Sequence, residues 1–187
     1  MNSDLASYHH RETLSDGQTI RLRAIQPSDR GRLREEFLKL SKSTIRDRFF
    51  SVKMDLTAKE LTYFTEVDFN HHVALVAELE SGATQSCTTP SGTTYTPVAV
   101  GRLVRQSGQP DHCEIAITVT DAMQGHGIGK IMLNTLIDCA RKLGVRHMDA
   151  SVMADNTRMM KLIRKTGLPF KSRLQEGINT ISVSLHA

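Results

Sequence analysis

Gln124-Gly125-His126-Gly127-Ile128-Gly129-Lys130 joins two segments of different period. Before it runs Ile115-Ala116-Ile117-Thr118-Val119, a β-branched stretch that reads as a strand. After it, Ile128, Ile131, Met132, Leu136, Ile137, Ala140 and Leu143 recur at helical spacing, and Gly144 stands where a C-terminal cap belongs. A glycine-rich turn between strand and helix aims backbone N–H groups at an anion, and the helix N-terminus adds the positive end of its dipole. Glycines also let a phosphate come close to the backbone. Two common phosphate motifs fail here. A P-loop needs Gly at position 124 and Ser or Thr at 131, where the chain has Gln124 and Ile131. A dinucleotide fingerprint starting at Gly125 needs Gly at Lys130. The pattern that remains is Gln-x-x-Gly-x-Gly.

Working outward, residues 1–17 read as a flexible leader that ends in the turn Ser15-Asp16-Gly17, followed by one domain over 18–187. Thr19 to Ile25 alternates like a half-buried strand. Pro27-Ser28-Asp29 opens a helix carrying Leu33, Phe37, Leu38 and Leu40, and a second short helix passes through Ile45 and Phe49-Phe50. Thr57-Ala58-Lys59-Glu60 has the form of a capping box. Val73–Leu79 is a near-continuous apolar run and reads as a central strand. Ser81 to Pro97, rich in Thr, Ser and Gly, reads as a long mobile hairpin loop, with Val98–Val104 as the returning strand. Gln109-Pro110-Asp111 turns the chain into a strand from Cys113 to Val119. Beyond the glycine loop and its helix come a strand from His147 to Met153 and a helix from Asn156 to Lys165. Two strands, Phe170–Leu174 and Ile178–Leu185, close the chain. The order predicts a mixed α/β fold around one mostly antiparallel sheet of about seven strands.

The 187 residues carry a formal charge of +4, with 39% apolar residues, which suits a soluble globular chain. Nothing approaches the roughly 20 apolar residues of a membrane span. Met1 to Arg11 has no apolar h-region, which favours the cytoplasm. Cys87, Cys113 and Cys139 are too few and too scattered for zinc and read as free thiols. The adjacent His71 and His72 would face opposite sides of a strand, so no metal is expected. Basic residues gather between Arg21 and Arg48, as a solvated face or as attraction for an anionic ligand. No Trp and no interleaving of aromatic and basic residues supports nucleic acid as a partner.

The Gln124–Gly129 loop, its flanking strand and helix, and the segment Ala154-Asp155-Asn156 through Gly167-Leu168 together resemble the GNAT N-acetyltransferase superfamily. Arg21 to Asp29 is similar to that family's opening strand and turn, so the likeness spans most of residues 18–186. Ser41–Phe50, Leu61–Val76 and Glu114 resemble more narrowly the GNAT domain of bacterial Pat-type protein-lysine acetyltransferases. The resemblance implies a GNAT fold, acetyl-CoA as cosubstrate without a metal, and an amine acceptor, with a protein lysine among the candidates. Homodimers are common in the family. It further implies that Ile117 and Val119 meet the pantetheine amides through the backbone, with Thr118 between them at the cofactor site and an N–H near Ile117 at the oxyanion. Gly125, His126, Gly127, Ile128, Gly129 and Lys130 would hold the pyrophosphate, Asn156 would contact the pantetheine arm, and Gln124 and Met159 would belong to the same cofactor site.

An amine must be neutral to attack a thioester, and a lysine amine has a pKa of about 10.4, so a general base is needed. Glu114 is the candidate, expected to be tuned by burial in an apolar strand. Two departures stand out. Ile163 occupies the place where many members carry a Tyr general acid, and His126 stands where an Arg is frequent. The residues leave open a small-amine or amino-acid acceptor, and an acyl-CoA-sensing module with little catalysis.

Overall fold

The alternation at Thr19–Ala24 becomes a strand of strictly alternating half-buried and buried residues. In the computed structural model, which describes residues 3–81 and 93–186, this strand is the second of eight. The elements are α1 (Ser3–Ala6), β1 (His9–Thr13), β2 (Thr19–Ala24), α2 (Arg30–Leu38), α3 (Lys42–Phe49), α4 (Ala58–Thr65), β3 (His72–Ser81) and β4 (Thr94–Gln106). They continue with β5 (Gln109–Val119), α5 (Ile128–Lys142), β6 (His147–Met153), α6 (Thr157–Arg164), β7 (Phe170–Gln175) and β8 (Ile178–Ser184). The strands form one sheet in the order β1-β2-β3-β4-β5-β6-β8-β7. Every pairing among the described strands is antiparallel except β5 with β6.

Several expectations are corrected. The sheet has eight strands, not about seven, because residues 3–17 are not a loose leader. His9–Thr13 pairs with β2 along its length, and Leu5 and Leu14, 1% and 4% exposed, pin its two ends to the core. Strand β1 offers no apolar alternation because its side chains lie outside the core. At the other hairpin, Ser81 and Thr94–Pro97 belong to strands: Ser81 pairs with Thr94 and Glu78 with Pro97. The rest of the expected loop, including Cys87, falls within 82–92, outside the described residues. Gln109-Pro110-Asp111 lies in β5, and the turn before it uses Gly108 at φ +80°. Leu38 is 52% exposed, because the buried stripe of α2 runs through Phe37.

Two apolar clusters flank the sheet. The larger lies under α5, where Met132 and Leu136 press against the sheet at Gly101. A Cβ at Gly101 would sit 2.5 Å from Met132 Cγ, so the closeness of this helix requires glycine there. The smaller cluster, Phe37, Leu56, Leu61 and Phe64, lies beneath α2–α4 on the opposite face. The Thr57 capping box starts α4 as the sequence predicts: Thr57 Oγ1 accepts from Glu60 N–H, and Glu60 accepts from Thr57 N–H.

Within the basic run, Arg21, Arg23 and Arg32 are committed to one buried carboxylate, whereas Arg34, Lys39, Lys42 and Arg46 are exposed. Glu78, fully buried in β3, accepts from Arg21, Arg23 and Arg32, at 2.5, 2.8 and 3.0 Å. Arg23 also grips Asp29 at 2.7 Å. Burial alone would raise the Glu78 carboxyl, but the hydrogen bonds from Arg23 and Arg21 overcome it and hold its pKa below the ordinary value. Cys113 and Cys139 are buried free thiols, and burial pushes them up to about 12 and about 11.

Candidate active site

The parallel pair β5–β6 is hydrogen-bonded over only a short seam, His112↔His147, Cys113↔Met148 and Glu114↔Asp149. Both strands run on beyond it, β5 to Val119 and β6 to Met153, without pairing to each other. The orientation of the freed edge follows from one bond. Thr120 N–H donates to Val98 C=O at 2.9 Å, and alternate residues of an antiparallel ladder face the same neighbour. Thr118 and Ala116 therefore bond β4, Ile115 still faces β6 at the end of the seam, and Ile117 and Val119 turn their N–H and C=O groups into the gap. The carbonyl of Val119 already receives a donor from that side, Gln124 Nε2 at 3.2 Å. The backbone at 117 and 119 thus presents what an extended amide-bearing chain needs, an unpaired strand edge.

At the wide end of the gap sits the glycine loop. Gly125 and Gly127 have φ of +91° and +89°, the left-handed region where a Cβ is strained. None of the N–H groups from Gly125 to Gly129 donates to another described residue. Five successive free donors stand at the start of a 15-residue helix, an arrangement that can receive an anion. Gly129 makes a separate point. A Cβ there would meet Leu162 and Val119 at 3.5 and 3.9 Å, ordinary contact distances, so internal packing does not demand glycine. Close approach of a ligand would.

The side chains expected at the cofactor divide into groups. Ile128 is buried and offers only its N–H, whereas Lys130 is exposed at the mouth of the cradle. Gln124 is a brace: its amide donates to Thr44 Oγ1 and Val119 O, and Arg158 donates to its Oε1. His126 Nδ1 lies 2.6 Å from Asp16 Oδ2, so its ring is engaged by the β1–β2 turn. Asn156 caps α6, accepting from Met159 N–H at 3.0 Å, and Met159 packs against the main core. Ile163 is 1% exposed, so this position of α6 faces the core.

Other contacts here were not foreseen from sequence. Asp121 accepts from Ser41 N–H, Ser41 Oγ and Thr44 Oγ1 at 2.8, 2.6 and 2.7 Å. Arg46 pairs with Asp155 at 2.7 Å. Helix α3 is thereby tied to both sides of the gap. No local pattern announces these pairs, whose members are distant in the chain.

Glu114 lies at the inner end of the seam, where pairing stops. It is exposed, and its carboxylate has no hydrogen bond or ion pair among the described residues. The expected burial of Glu114 is therefore corrected. Successive strand residues face opposite sides, so the apolar neighbours Ile115 and Ile117 say nothing of the side that Glu114 faces. That side carries α3, whose Arg48 feels the Glu114 charge. Nearby a pocket opens between the sheet and α2–α4, with Leu33, Phe37, Arg48, Phe49, Arg102 and Thr118 in its walls. Since Thr118 belongs to β5, the pocket reaches the strand that borders the gap.

His71 pairs with Asp68, whereas His72 meets Arg102, so the two adjacent rings have different partners. Asp111, His112 and His147 form the one group of metal-capable side chains among the described residues whose ligand atoms lie within 4.8 Å of one another. His112 and His147 stack there, and Asp149 takes up His112 Nδ1. No described helix is long and apolar enough to cross a membrane.

Three comparisons bear on this arrangement. Residues 49–168 match the model of the acetyltransferase (GNAT) family. The acetyltransferase Pat of Mycolicibacterium smegmatis is 32% identical over 151 residues, which cover 81% of this chain and 41% of that protein. An acetyltransferase of Pseudomonas aeruginosa is 29% identical over 157 residues, covering 82% and 77%. Among solved structures, the GNAT domain of S. lividans PAT superposes with a TM-score of 0.79 at 28% identity, covering 94% of this chain and 96% of that one. The chain thus spans about two fifths of the length of the Mycolicibacterium relative.

Proposed function

The chain belongs to the GNAT acetyltransferase family, and on that premise we propose that it moves the acetyl group of acetyl-CoA to a primary amine, with Glu114 as general base. The observation that carries this reading is the edge at Ile117 and Val119, unpaired with any described strand, opening onto the five free N–H groups of Gly125–Gly129. The edge suits the two amides of a pantetheine arm, and the cradle suits a pyrophosphate. Lys130 adds a cation at the mouth, and Asn156 and Met159 border the arm. Thr118 turns its backbone to β4 and its side chain to the acceptor pocket.

The amine nitrogen attacks the thioester carbonyl carbon. An N–H near Ile117 steadies the developing oxyanion, and the carbon–sulfur bond breaks as the thiolate leaves. The ammonium proton passes to Glu114. With Ile163 in the core, the thiolate leaves without a side-chain acid from that position of α6. A thiol of pKa about 8.5 leaves tolerably as the anion. The Pat relatives make a protein lysine the first acceptor to test.

Glu114→Gln should lower turnover by about 10²- to 10⁴-fold while acetyl-CoA affinity stays within twofold. Thiol release and titration calorimetry measure the two sides. Turnover within threefold of the parent would remove Glu114 from the mechanism.

A further inference from the structure

The charged residues of the pocket beneath α2–α4 do not balance. Asp29, Arg32, Glu36, Arg48 and Arg102 line it. Three of them are paired: Asp29 with Arg23 at 2.7 Å, Arg32 with Glu78 at 3.0 Å and Glu36 with Lys39 at 2.7 Å. Arg48 and Arg102 have no carboxylate within ion-pair distance among the described residues. Residues 82–92 contain no Asp or Glu, so that segment has no side-chain carboxylate to give them.

Arg102 is 6% exposed, with its guanidinium 4.4 Å from the Phe64 ring centre. Its Nη1 reaches Phe64 O at 3.5 Å and His72 Nε2 at 3.2 Å. The Nε and Nη2 groups donate to nothing else described. Burial, and then the neighbouring Arg48, pull Arg102 down to about 9. Glu114 acts on Arg48 only through space. Two cations drawn partly out of water in the walls of one pocket are unfavourable unless an anion joins them.

We infer that the acceptor is an amine whose molecule also carries a carboxylate, seated between Arg48 and Arg102 with its apolar body against Leu33, Phe37 and Phe49. This rests on the acetyl-transfer reading and names the acceptor class for the same site. Two sources share the chemistry: a free amino acid, or a lysine flanked by acidic residues in a polypeptide.

The test compares acceptors matched in amine but not in charge. One arm sets 4-aminobutyrate and 6-aminohexanoate against their amides. The other sets a blocked pentapeptide with lysine between two glutamates against the same peptide with glutamines. Thiol release at saturating acetyl-CoA should give kcat/KM about 10- to 100-fold higher for the carboxylate member of one arm. The arm that responds identifies the source. In Arg48→Gln and in Arg102→Met the ratio should fall to about 1; the half-buried Arg48 keeps the test valid if the second variant fails to fold. A ratio near 1 in the parent for every pair, or a ratio undiminished in Arg48→Gln, overturns the inference. If no acceptor releases thiol, the acetyl-transfer reading is what fails. Calorimetry of the same pairs on acetyl-CoA-loaded protein then decides: tighter carboxylate binding supports the inference, and equal affinity overturns it.

Discussion

The gap between β5 and β6 and the pocket beneath α2–α4 share strand β5 but are made of different material. The gap presents backbone: the edge at Ile117 and Val119, and the free N–H groups of Gly125–Gly129. The pocket presents side chains: Arg48, Arg102, Leu33, Phe37 and Phe49. A backbone site suits a ligand that every family member shares, because it tolerates side-chain change. A side-chain site can change its preference with one or two substitutions.

The contrast can be broken hardest at Glu78, which anchors the pocket side. Glu78→Ala strands Arg21, Arg23 and Arg32 around a buried vacancy and should destabilise the fold by about 3–5 kcal/mol. Urea melts measure the loss. The folded fraction should still bind acetyl-CoA, since Glu78 touches nothing in the gap.

Next come the glycines. Gly127→Ala forces a Cβ into φ +89° and should cost about 1–2 kcal/mol, some tenfold in acetyl-CoA affinity if the loop yields rather than the fold. Gly129→Ala sharpens the comparison. Its stability should stay within about 0.5 kcal/mol of the parent while acetyl-CoA affinity falls, because only a ligand requires that space. Equal losses of stability and affinity at Gly129 would point to packing instead.

A smaller effect belongs to Thr57→Ala, which removes one half of the α4 capping box and should cost about 1 kcal/mol in melts, without altering acetyl-CoA binding.

Acid should weaken the pocket side first. Burial, and then Arg102, hold His72 down at about 4. Between the ordinary value of about 6.5 and that value, the unfolded chain binds a proton that the folded chain refuses, so stability falls as pH drops through this window. Lower still, Glu78 and Asp29, both held below their ordinary values, release their share as they protonate. Melts at pH 7.5 and 5.0 should differ less in His72→Gln than in the parent.

Legibility in the sequence follows the same division. The gap could be read because its chemistry is local: Gly125, Gly127 and Gly129 stand within five residues, between a period-two and a period-3.6 segment. Strands β2 to β8 and helices α2 to α6 announced themselves through periodicity and caps. Strand β1 did not, because an edge strand without inward side chains has no apolar rhythm and is fixed by Leu5 and Leu14 beyond its ends. Glu78 sat unnoticed in an apolar run because its partners come from β2 and α2. Arg48 and Arg102 meet only through tertiary folding. The exposure of Glu114 cannot be read from its neighbours' hydrophobicity, which describes the other side of the strand.

The short seam at Cys113 and Glu114 has a mechanical consequence. Among the described strands it is the one weld between the panel β1–β5 and the panel β6–β8, reinforced by Gln106 and His112 on Asp149. A ligand bridging the open ends would act as a second rivet. Amide hydrogens of β6 and β8 should then exchange more slowly in acetyl-CoA than without it, and the two panels should come apart as one unit rather than in turn.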